Sequence, residues 1–483
     1  VKKYRFMIIN HLMKESDVSF GTSGVRGLAK NMTFSVCHAY VTAFIQYLEE
    51  IDELNSKKKT ICIAGDLRPS TKEIMLSVCC AITDKKYKVI NCGNIPTPAL
   101  AHYSFQNNFP SVMITGSHVP SERNGIKFYK SSGEILKKDE VKISLQDVKI
   151  RKVHGINSLP EISNDAEELY CKRYTSVFTN TCLKDQKIGI YQHSAVGRDI
   201  LVKVLQDLGA DIVVLGRSEE FIPVDTESIR EEDIKLAVKW CSEFNLDAIV
   251  STDGDSDRPL ICDENGNWLR GDIIGIIVSD YLNADSVSTP ITSNTILEKI
   301  NKFEHISRTK IGSPFVIESM IRSLDKHSKI VGYEANGGYL TNSDFVINNQ
   351  KLTSLPTRDA LLPIIIINVL AKKSNKSISH LINKLPLRFT FSDRLKNYPF
   401  DKYKELFIKY KKNENIENDF GNIFGKVNSI DITDGLRIFF DSSKILHIRP
   451  SGNAPELRVY IETSLSNEGL YLLKNSLEII LKN

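Results

Sequence analysis

The chain has 483 residues, of which 41% are hydrophobic and 25% are charged, and its formal net charge is +4. This composition is typical of a soluble globular protein, and the length suits about three to four domains. Because there is no long basic block and the longest apolar run covers only residues 361–371, we expect neither nucleic-acid binding nor a membrane span.

The cysteines and the first residues of the sequence indicate a cytoplasmic protein. No two of the nine cysteines have CxxC spacing, and an odd number in a large chain argues against a disulfide framework. The opening stretch VKKYRFMIINHLMKESD has neither the apolar segment nor the small-residue cleavage site of a signal peptide. Residues 1–19 receive no functional role from the sequence.

Strand and helix patterns alternate along the first part of the chain. Residues 34–50 have apolar side chains at i, i+3 and i+4, which predicts an amphipathic helix. Residues 60–66 form a continuous apolar run that ends in Gly-Asp, as in a buried parallel strand. A helix over 71–84 and strands over 88–94 and 111–117 follow. This alternation is typical of an α/β domain.

The alternation recurs twice, and the pattern changes after about residue 386. The last region has short β-like runs, such as GLRIFF and ELRVYIE, and a terminal helical stretch. We therefore predict an α/β protein in which three related α/β domains with mixed sheets precede a C-terminal α+β domain. The predicted domains cover residues 1–155, 156–270, 271–385 and 386–483.

An acidic loop, STDGDSDRPL, follows a strand-like run and carries Asp253, Asp255 and Asp257. Three carboxylates this close repel one another unless a cation lies among them, and oxygen ligands suit Mg²⁺ or Ca²⁺. A solvated acidic turn is the alternative. An EF-hand is excluded, because Arg258 stands where that loop needs glycine and the flanks are β-like. Arg258 could instead bind a phosphate through two hydrogen bonds.

Three more loops carry candidate residues, and a simple turn is the alternative for each. In TGSHVPSERNGIKFY, Ser117 ends a β-like run. In GYEANGG, Glu334 and Asn336 could hydrogen-bond sugar hydroxyls beside glycines that allow close approach. HIRPSGNAPELRVY offers arginine, hydroxyl and backbone N–H groups, which a phosphate dianion needs. Its candidate residues are Arg449, Ser451, Gly452, Asn453 and Arg458.

The order of these loops resembles the α-D-phosphohexomutase family, from FGTSGVRG (20–27) to RPSGNAPELRVY (449–460). TGSHVP resembles the family's active-serine loop, and DGDSDR resembles its metal loop. GYEANGG is similar to the sugar-recognition loop, and RPSGNAP to the phosphate-binding loop. GDLRPS (65–70) and GNIPTPAL (93–100) resemble further signatures of the first domain.

The resemblance implies four domains around a central cleft and a serine, Ser117, that carries a phosphoryl group. Mg²⁺ would be held by a phosphoserine oxygen of Ser117 and by Asp253, Asp255 and Asp257. The enzyme would convert a hexose 6-phosphate into a hexose 1-phosphate through a hexose 1,6-bisphosphate, which also serves as activator. We expect a phosphomannomutase, an isomerase that acts by intramolecular phosphotransfer, as a cytoplasmic monomer or homodimer. Phosphoglucosamine mutase and phosphoglucomutase are the alternatives.

The resemblance also implies roles for polar residues around the cleft. Arg26 and Arg258 would offset charge on the transferring phosphoryl group. Lys127 would act as a general base if neighbouring cations lower its pKa, and His118 would orient Ser117 or handle its proton. The sugar would be bound by Glu334 and Asn336, and the distal phosphate by Arg449, Ser451, Gly452, Asn453 and Arg458.

Departures from the family pattern leave the sugar specificity open. Val119 stands in place of Asn in the serine loop, and Asn336 in place of Ser in the sugar loop. Asn453 and Ala454 replace Thr-Glu, and Ser313 stands where some members have His. These changes leave the serine and the aspartates in place.

Two other functional classes make different predictions. A non-catalytic protein that binds sugar phosphate or Ca²⁺ would carry no stable phosphate on Ser117. A serine hydrolase would pair Ser117 with His118. The hydrolase is disfavoured because adjacent residues on a loop point in different directions and because the GxSxG motif is missing.

Overall fold

The computed structural model describes residues 4–151, 158–451 and 456–482. Within these ranges the chain forms four main sheets, and each sheet takes its strands from one continuous stretch of sequence. These ranges therefore contain four structural units, which follow one another in chain order. The candidate phosphate-binding residues Gly452 and Asn453 lie outside the described residues.

The first unit is an α/β unit with a mixed sheet. Its strands are β1 (Tyr4–Ile8), β2 (Ser19–Phe20), β3 (Val25–Leu28), β4 (Thr60–Gly65), β5 (Lys88–Asn94), β6 (Ser111–Ile114), β7 (Arg123–Lys130), β8 (Gly133–Glu134) and β9 (Asp147–Arg151). Its helices are α1 (Ile9–Ser16), α2 (Phe34–Glu50), α3 (Thr71–Asp84), α4 (Thr97–Gln106) and α5 (Lys137–Ser144). The main sheet has the order β2-β3-β7-β6-β4-β5, with β8 paired to β7.

The register of this sheet brings two of the predicted loops together. Strand β4 is parallel to both β5 and β6, and Gly65 pairs with Ile114. Because parallel strands end at the same edge, the loop after β4 and the serine loop after β6 emerge side by side. Residues 1–19, which had no assigned role, include β1, which pairs antiparallel with β9 outside the main sheet.

The second unit carries the acidic loop. Its elements are α6 (Asp165–Thr175), β10 (Lys187–His193), α7 (Arg198–Asp207), β11 (Asp211–Arg217), α8 (Glu231–Phe244), β12 (Ala248–Thr252) and β13 (Pro259–Cys262). The sheet order is β11-β10-β12-β13, in which only β13 is antiparallel to its neighbour. The three aspartates lie in the turn that joins β12 to β13. Strands on both sides of this turn exclude the helix-flanked EF-hand, as the sequence indicated.

The third unit repeats this mixed arrangement. Its elements are α9 (Gly271–Tyr281), β14 (Ser286–Pro290), α10 (Ile296–Lys299), β15 (His305–Thr309), α11 (Ser313–Ser323), β16 (Ile330–Tyr333), β17 (Tyr339–Thr341), β18 (Phe345–Ile347), β19 (Gln350–Leu352), β20 (Leu355–Asp359), α12 (Leu361–Ser374) and α13 (Ile378–Ile382). The sheet order is β15-β14-β16-β17-β20, and the sugar loop joins β16 to β17. Strands β18 and β19 form a separate hairpin.

The longest apolar run of the sequence forms most of helix α12. This helix is buried on nearly all sides, which explains why its apolar residues follow no one-sided pattern. Among the described residues, we find no helix with the length and apolar character needed to cross a bilayer.

The fourth unit is an α+β unit. Its elements are β21 (Phe389–Lys396), α14 (Phe400–Lys409), α15 (Asn413–Phe424), β22 (Val427–Asp431), β23 (Leu436–Phe440), β24 (Ile445–Pro450), β25 (Glu456–Thr463) and α16 (Gly469–Lys482). The strands form an antiparallel sheet in the order β21-β25-β24-β23-β22. Apolar residues such as Ile448 and Val459 face the helices, and their neighbours Arg449 and Arg458 face the opposite side.

The predicted fold class, three α/β units followed by an α+β unit, is confirmed. The predicted domain boundaries near residues 155, 270 and 385 stay predictions.

Candidate active site

The serine loop holds Ser117 in an unusual backbone conformation. Ser117 is fully buried and has a φ of 57°, in the left-handed region that costs a residue with a Cβ about 1 kcal/mol or more. Its backbone N–H donates to Oγ1 of Thr115 at 2.8 Å. Its own hydroxyl donates to Oδ2 of Asp253 at 2.7 Å. The strained conformation therefore directs the hydroxyl of the first unit at the acidic loop of the second.

The acidic loop is a candidate metal site. Asp253, Asp255 and Asp257 are almost completely buried, and one carboxylate oxygen of each lies within 4.8 Å of the others. Burial and the two neighbouring carboxylates raise the pKa of Asp253 well above its ordinary value. The Oδ1 atoms of Asp255 and Asp257 are buried without a hydrogen-bond partner. A set of buried, partly unpartnered carboxylate oxygens fits a divalent metal ion.

Cationic side chains surround these carboxylates. Nζ of Lys127 donates to Oδ2 of Asp255 at 2.5 Å and to Oδ2 of Asp257 at 2.6 Å. Nε of Arg258 lies 3.8 Å from carboxylate oxygens of both Asp253 and Asp257, and it has no hydrogen-bond partner. Arg258 therefore has a donor available for an anion at this site.

Arg26 lies in the electrostatic field of the same group. Burial and the nearby charges of Arg258 and Arg358 together lower the pKa of Arg26 to about 10, although neighbouring carboxylates oppose the shift. Burial and like charges destabilise the charged form of Arg26, and a bound anion would stabilise it. The site thus combines a hydroxyl, a metal-binding loop and cations suited to a phosphoryl group.

His118 is poorly placed to act as the base of a serine hydrolase. Its Nδ1 lies 3.5 Å from Oγ of Ser117, whereas Asp253 lies at 2.7 Å. Burial, Arg258 and Arg26 all lower the pKa of His118, so the imidazole is neutral near pH 7. Ser117 is therefore hydrogen-bonded to the acidic loop rather than paired closely with a histidine.

The sugar loop is connected to the acidic loop through Arg358. Nη1 of Arg358 donates to Oε2 of Glu334 at 3.0 Å, and Nη2 donates to Oδ2 of Asp257 at 2.8 Å. Nδ2 of Asn336 donates to the same oxygen of Glu334 at 3.0 Å. The backbone carbonyl of Asn336 accepts from Oγ1 of Thr226 at 2.7 Å. The second and third units therefore fix the sugar loop jointly.

The fourth unit places two arginines directly opposite each other. Arg449 on β24 pairs in register with Arg458 on β25, and like charges at such positions repel. Nε of Arg449 lies 3.5 Å from Oδ1 of Asp434, and the Nε atoms of both arginines are buried without a hydrogen-bond partner. Such a pair is suited to an anion. Ser451 follows the end of β24, and its backbone N–H donates to the carbonyl of Glu456 at 2.8 Å.

The structure assembles one group of predicted residues and leaves a second group apart. Ser117, His118, Lys127, Arg258 and the three aspartates form one connected cluster with the sugar loop through Arg358. Within the described part of the chain, neither Arg449 nor Arg458 forms a hydrogen bond or ion pair with that cluster.

Three residues in this region were missed by sequence reasoning. Thr97 donates from Oγ1 to Oδ2 of Asp255 at 2.6 Å and from its N–H to the carbonyl of Asp255 at 3.0 Å. Arg68 contacts the carbonyl of Ser117 at 2.7 Å. Both lie in stretches that resembled first-domain signatures, which was the available signal. Arg358 lies in no recognised motif, and only its contacts identify it.

Comparisons with known proteins identify the family of this chain. The models of the phosphoglucomutase/phosphomannomutase family match the chain in order: α/β/α domain I at residues 17–149, domain II at 168–266, domain III at 270–389 and the C-terminal domain at 401–477. A phosphomannomutase of Salmonella muenchen is 42% identical over 478 residues, which cover 98% of this chain and 96% of the relative.

Two further proteins match nearly the whole chain at lower sequence identity. A phosphoglucosamine mutase of Caldicellulosiruptor bescii is 26% identical over 467 residues, with 92% of this chain and 94% of the relative covered. The crystal structure of a Thermus thermophilus protein assigned as a phosphomannomutase superposes with a TM-score of 0.75 at 18% identity, covering 96% of this chain and 99% of the other. The predicted resemblance is confirmed: this chain belongs to the phosphoglucomutase/phosphomannomutase family and has its four-domain architecture.

Proposed function

We propose that this chain is a phosphomannomutase, which interconverts a hexose 6-phosphate and a hexose 1-phosphate through a phosphoserine at Ser117. The observation that carries the proposal is the buried Ser117 hydroxyl, which donates to Asp253 at 2.7 Å within a cluster of three aspartates. Phosphoryl transfer depends mainly on positioning and on charge neutralisation, and this cluster supplies both.

In the proposed reaction, the phosphoryl group passes between Ser117 and the sugar. The bond from phosphorus to Oγ of Ser117 breaks as a bond to a sugar hydroxyl oxygen forms, and the proton lost by that hydroxyl balances the one that Oγ takes up. The product is a hexose 1,6-bisphosphate. The bisphosphate reorients, and its other phosphoryl group returns to Ser117. Arg26 and Arg258 offset the charge on the transferring group. Ser117 is regenerated with its phosphate, so a bisphosphate also serves as the activator.

Two roles are open to Lys127 in this reaction, as a fixed positive charge or as a general base. Its Nζ donates to Asp255 and Asp257 at 2.5 and 2.6 Å, which places it between two carboxylates of the acidic loop. A charged lysine supports the electrostatic role directly, whereas a general base must first lose a proton. We propose the electrostatic role, and the role of Lys127 as a general base stays a prediction, as does proton handling by His118.

We propose Mg²⁺ as the cofactor, held by Asp253, Asp255, Asp257 and a phosphoserine oxygen of Ser117. The three side chains offer only oxygen donors, which suit Mg²⁺ better than softer metals. When bound, the ion would withdraw charge from the phosphoserine oxygen and make Ser117 a better leaving group.

The proposed substrate is a mannose phosphate. The distal phosphate would lie on Arg449 and Arg458 with Ser451, Gly452 and Asn453, because two facing arginines with unpartnered Nε atoms suit a dianion. Glu334 and Asn336 would bind sugar hydroxyls. The preference for mannose over glucosamine is supported by 42% identity to a phosphomannomutase against 26% to a phosphoglucosamine mutase. Glucose shares the hydroxyls that Glu334 would bind, so activity with glucose phosphates is consistent with the site.

Two measurements test the proposal. A coupled assay compares mannose, glucose and glucosamine 1-phosphates in the presence of Mg²⁺ and glucose 1,6-bisphosphate, and we expect the highest kcat/KM with mannose 1-phosphate. Intact-mass measurement should show a species heavier by one phosphoryl group. A protein that binds these sugars but neither turns them over nor takes up phosphate from the bisphosphate would contradict the proposal and support the non-catalytic alternative.

A further inference from the structure

We propose that Arg68 is a positioning residue that holds the backbone of the serine loop, residues 115–123, so that the Ser117 hydroxyl points at Asp253. The proposal rests on the proposed role of Ser117 as the carrier of the phosphoryl group. It assigns a function to a residue outside the four loops that carry the predicted chemistry.

Every N–H group of the Arg68 side chain donates a hydrogen bond within the first unit. The guanidinium has five N–H donors in a fixed planar arrangement. Four of its bonds go to backbone carbonyls of the serine loop, and one goes to a carboxylate. The acceptors are the carbonyls of Pro120 (2.7 Å), Arg123 (3.1 Å), Ser117 (2.7 Å) and Val119 (2.5 Å), and Oδ2 of Asp66 (3.1 Å). No donor remains for a substrate, so Arg68 acts through the loop.

The position of Arg68 follows from the sheet. Because Gly65 at the end of β4 pairs with Ile114 at the end of β6, the chain that follows each strand starts from the same edge. Asp66 then turns Arg68 toward the serine loop, since its two carboxylate oxygens accept from the N–H and the Nε of Arg68 at 3.1 Å each.

The environment of the guanidinium makes these hydrogen bonds strong and hard to replace. Arg68 is 3% exposed, so water cannot substitute for its donors. The ion pair is fully buried, with Nε of Arg68 3.1 Å from Oδ2 of Asp66. Loss of the guanidinium would leave four loop carbonyls and a buried carboxylate without these donors.

The carbonyl of Ser117 lies at a point where the two loops touch. Arg68 fixes that carbonyl at 2.7 Å, and a Cβ added to Gly254 in the acidic loop would lie 2.8 Å from the same oxygen. The peptide plane after Ser117 is therefore held from both sides. Ser117 has a strained φ of 57°, a conformation that persists only where the surroundings hold the backbone, and in this conformation its Oγ reaches Asp253.

Phe221 extends the support to the second unit. Its ring lies 4.1 Å from Cζ of Arg68, a distance suited to a cation–π contact. The same ring lies 3.1 Å from the position of a Cβ on Gly254. Phe221 therefore packs between the guanidinium and the acidic loop, so a shift of Arg68 would affect the distance between Ser117 and Asp253.

The first test is Arg68→Lys, which keeps the positive charge beside Asp66 but has a single nitrogen that cannot reach four separate carbonyls. We expect kcat with mannose 1-phosphate to fall about 100-fold, because misplacement of a reacting group by about 1 Å has an effect of this size. KM should change less than about threefold, because Arg68 makes no substrate contact. Phosphate uptake by Ser117 from glucose 1,6-bisphosphate, followed by intact mass, should slow by a similar factor.

Arg388→Lys is the matched control. Arg388 is 6% exposed and also donates to a backbone carbonyl, that of Ser443 at 2.7 Å, and to a carboxylate, Glu462 at 2.6 Å. It belongs to the fourth unit, and its partners lie outside the serine loop. We expect this variant to keep kcat within about threefold of wild type even if its Tm falls.

A second variant, Arg68→Ala, separates positioning from general structural support. Guanidinium chloride at low, non-denaturing concentration should restore at least about tenfold in kcat, whereas equal NaCl should not, because only the guanidinium ion can reform the hydrogen bonds. If this variant fails to fold, the kinetics of Arg68→Lys decide.

The outcomes distinguish this proposal from the proposed function. If wild-type protein takes no phosphate on Ser117, the proposed function fails. If wild-type protein is phosphorylated and Arg68→Lys has unchanged kcat, or loses kcat only as much as Arg388→Lys, the positioning role alone is overturned.

Discussion

The hydroxyl of Ser117 and Oδ2 of Asp253 lie 2.7 Å apart, although 136 positions separate these residues in the chain. Ser117 lies in the loop that follows strand β6 of the first unit, and Asp253 begins the turn between β12 and β13 of the second. Their contact brings a potential phosphoryl acceptor to a candidate metal site.

Ser117→Ala should abolish mutase activity. Without the hydroxyl no phosphoserine can form, and we expect kcat to fall at least about 1,000-fold, as for removal of a covalent nucleophile. Steady-state kinetics and intact mass check this, with circular dichroism to establish that the fold is kept. Ser121→Ala, in the same loop, is the control and should remain active. Retained activity in Ser117→Ala would remove this residue as the nucleophile.

Asp255→Asn should weaken metal binding. A wild-type protein that binds Mg²⁺ is stabilised by about 2.7 kcal/mol at 100 times Kd, so its Tm should rise when Mg²⁺ replaces EDTA. Asp255→Asn removes one of three buried carboxylates and should lose most of that rise in a thermal melt. Asp211→Asn, an exposed residue of the same unit, should behave like wild type. An equal rise in both variants would argue against this loop as the metal site.

Arg358→Met should destabilise the fold. Arg358 is 3% exposed and bridges Asp257 and Glu334, and its removal would leave two buried carboxylates without their guanidinium partner. We expect the free energy of unfolding to fall by about 3–5 kcal/mol, measured by urea denaturation. Arg358→Lys, which keeps the charge, should lose less. A change below about 1 kcal/mol in the methionine variant would show that other cations compensate.

Arg458→Met should weaken substrate binding. Methionine cannot form a charged hydrogen bond with the substrate phosphate. We expect its loss to raise KM about tenfold or more. Arg394→Met is the control, because Arg394 faces Arg458 in the same sheet but is half-exposed and pairs with Glu456 at 3.3 Å. Steady-state kinetics with mannose 1-phosphate compare the two. Equal KM values for both variants would contradict the phosphate-binding role of Arg458.

The stability of the protein should fall as the pH is lowered from about 6.5, in part through His102. Burial and, to a smaller extent, the charge of Arg173 lower the pKa of His102 to about 3. In the unfolded chain the same histidine takes up a proton near pH 6.5. Between pH 6.5 and the folded-state pKa, each unit fall in pH therefore lowers the free energy of unfolding by about 1.4 kcal/mol.

His102→Gln should therefore make the free energy of unfolding less dependent on pH between 6.5 and about 4, measured by urea denaturation at several pH values. His380→Gln, which changes an exposed histidine, should leave the dependence as in wild type. An unchanged pH dependence in His102→Gln would show that His102 is not buried in its neutral form.

Local sequence patterns were sufficient to predict many of the elements. The helical periodicity of residues 34–50 corresponds to α2, and the apolar run at 361–371 to the buried helix α12. Gly, Pro and Asp residues after apolar runs indicated where strands end, and each predicted functional loop begins at such an end. These signals are local because side-chain spacing and turn chemistry act over a few residues.

The connections among those loops could not be predicted in the same way. No local pattern indicates that Arg68 donates to four carbonyls of the serine loop, or that Arg358 joins Asp257 to Glu334. Thr97 likewise contacts Asp255 across 158 positions. Such contacts depend on the order and register of strands in different sheets.

The sequence by itself determined the types of element, the positions of the functional loops and, through resemblance, the family. The tertiary structure decided which side chains meet: the hydroxyl of Ser117 with Asp253, and Lys127 with two of the three aspartates. The physical reason is that periodicity and turn preferences are properties of neighbouring residues. A cluster of buried charges, by contrast, is stable only when distant segments supply opposite charges and hydrogen bonds at the same point in space.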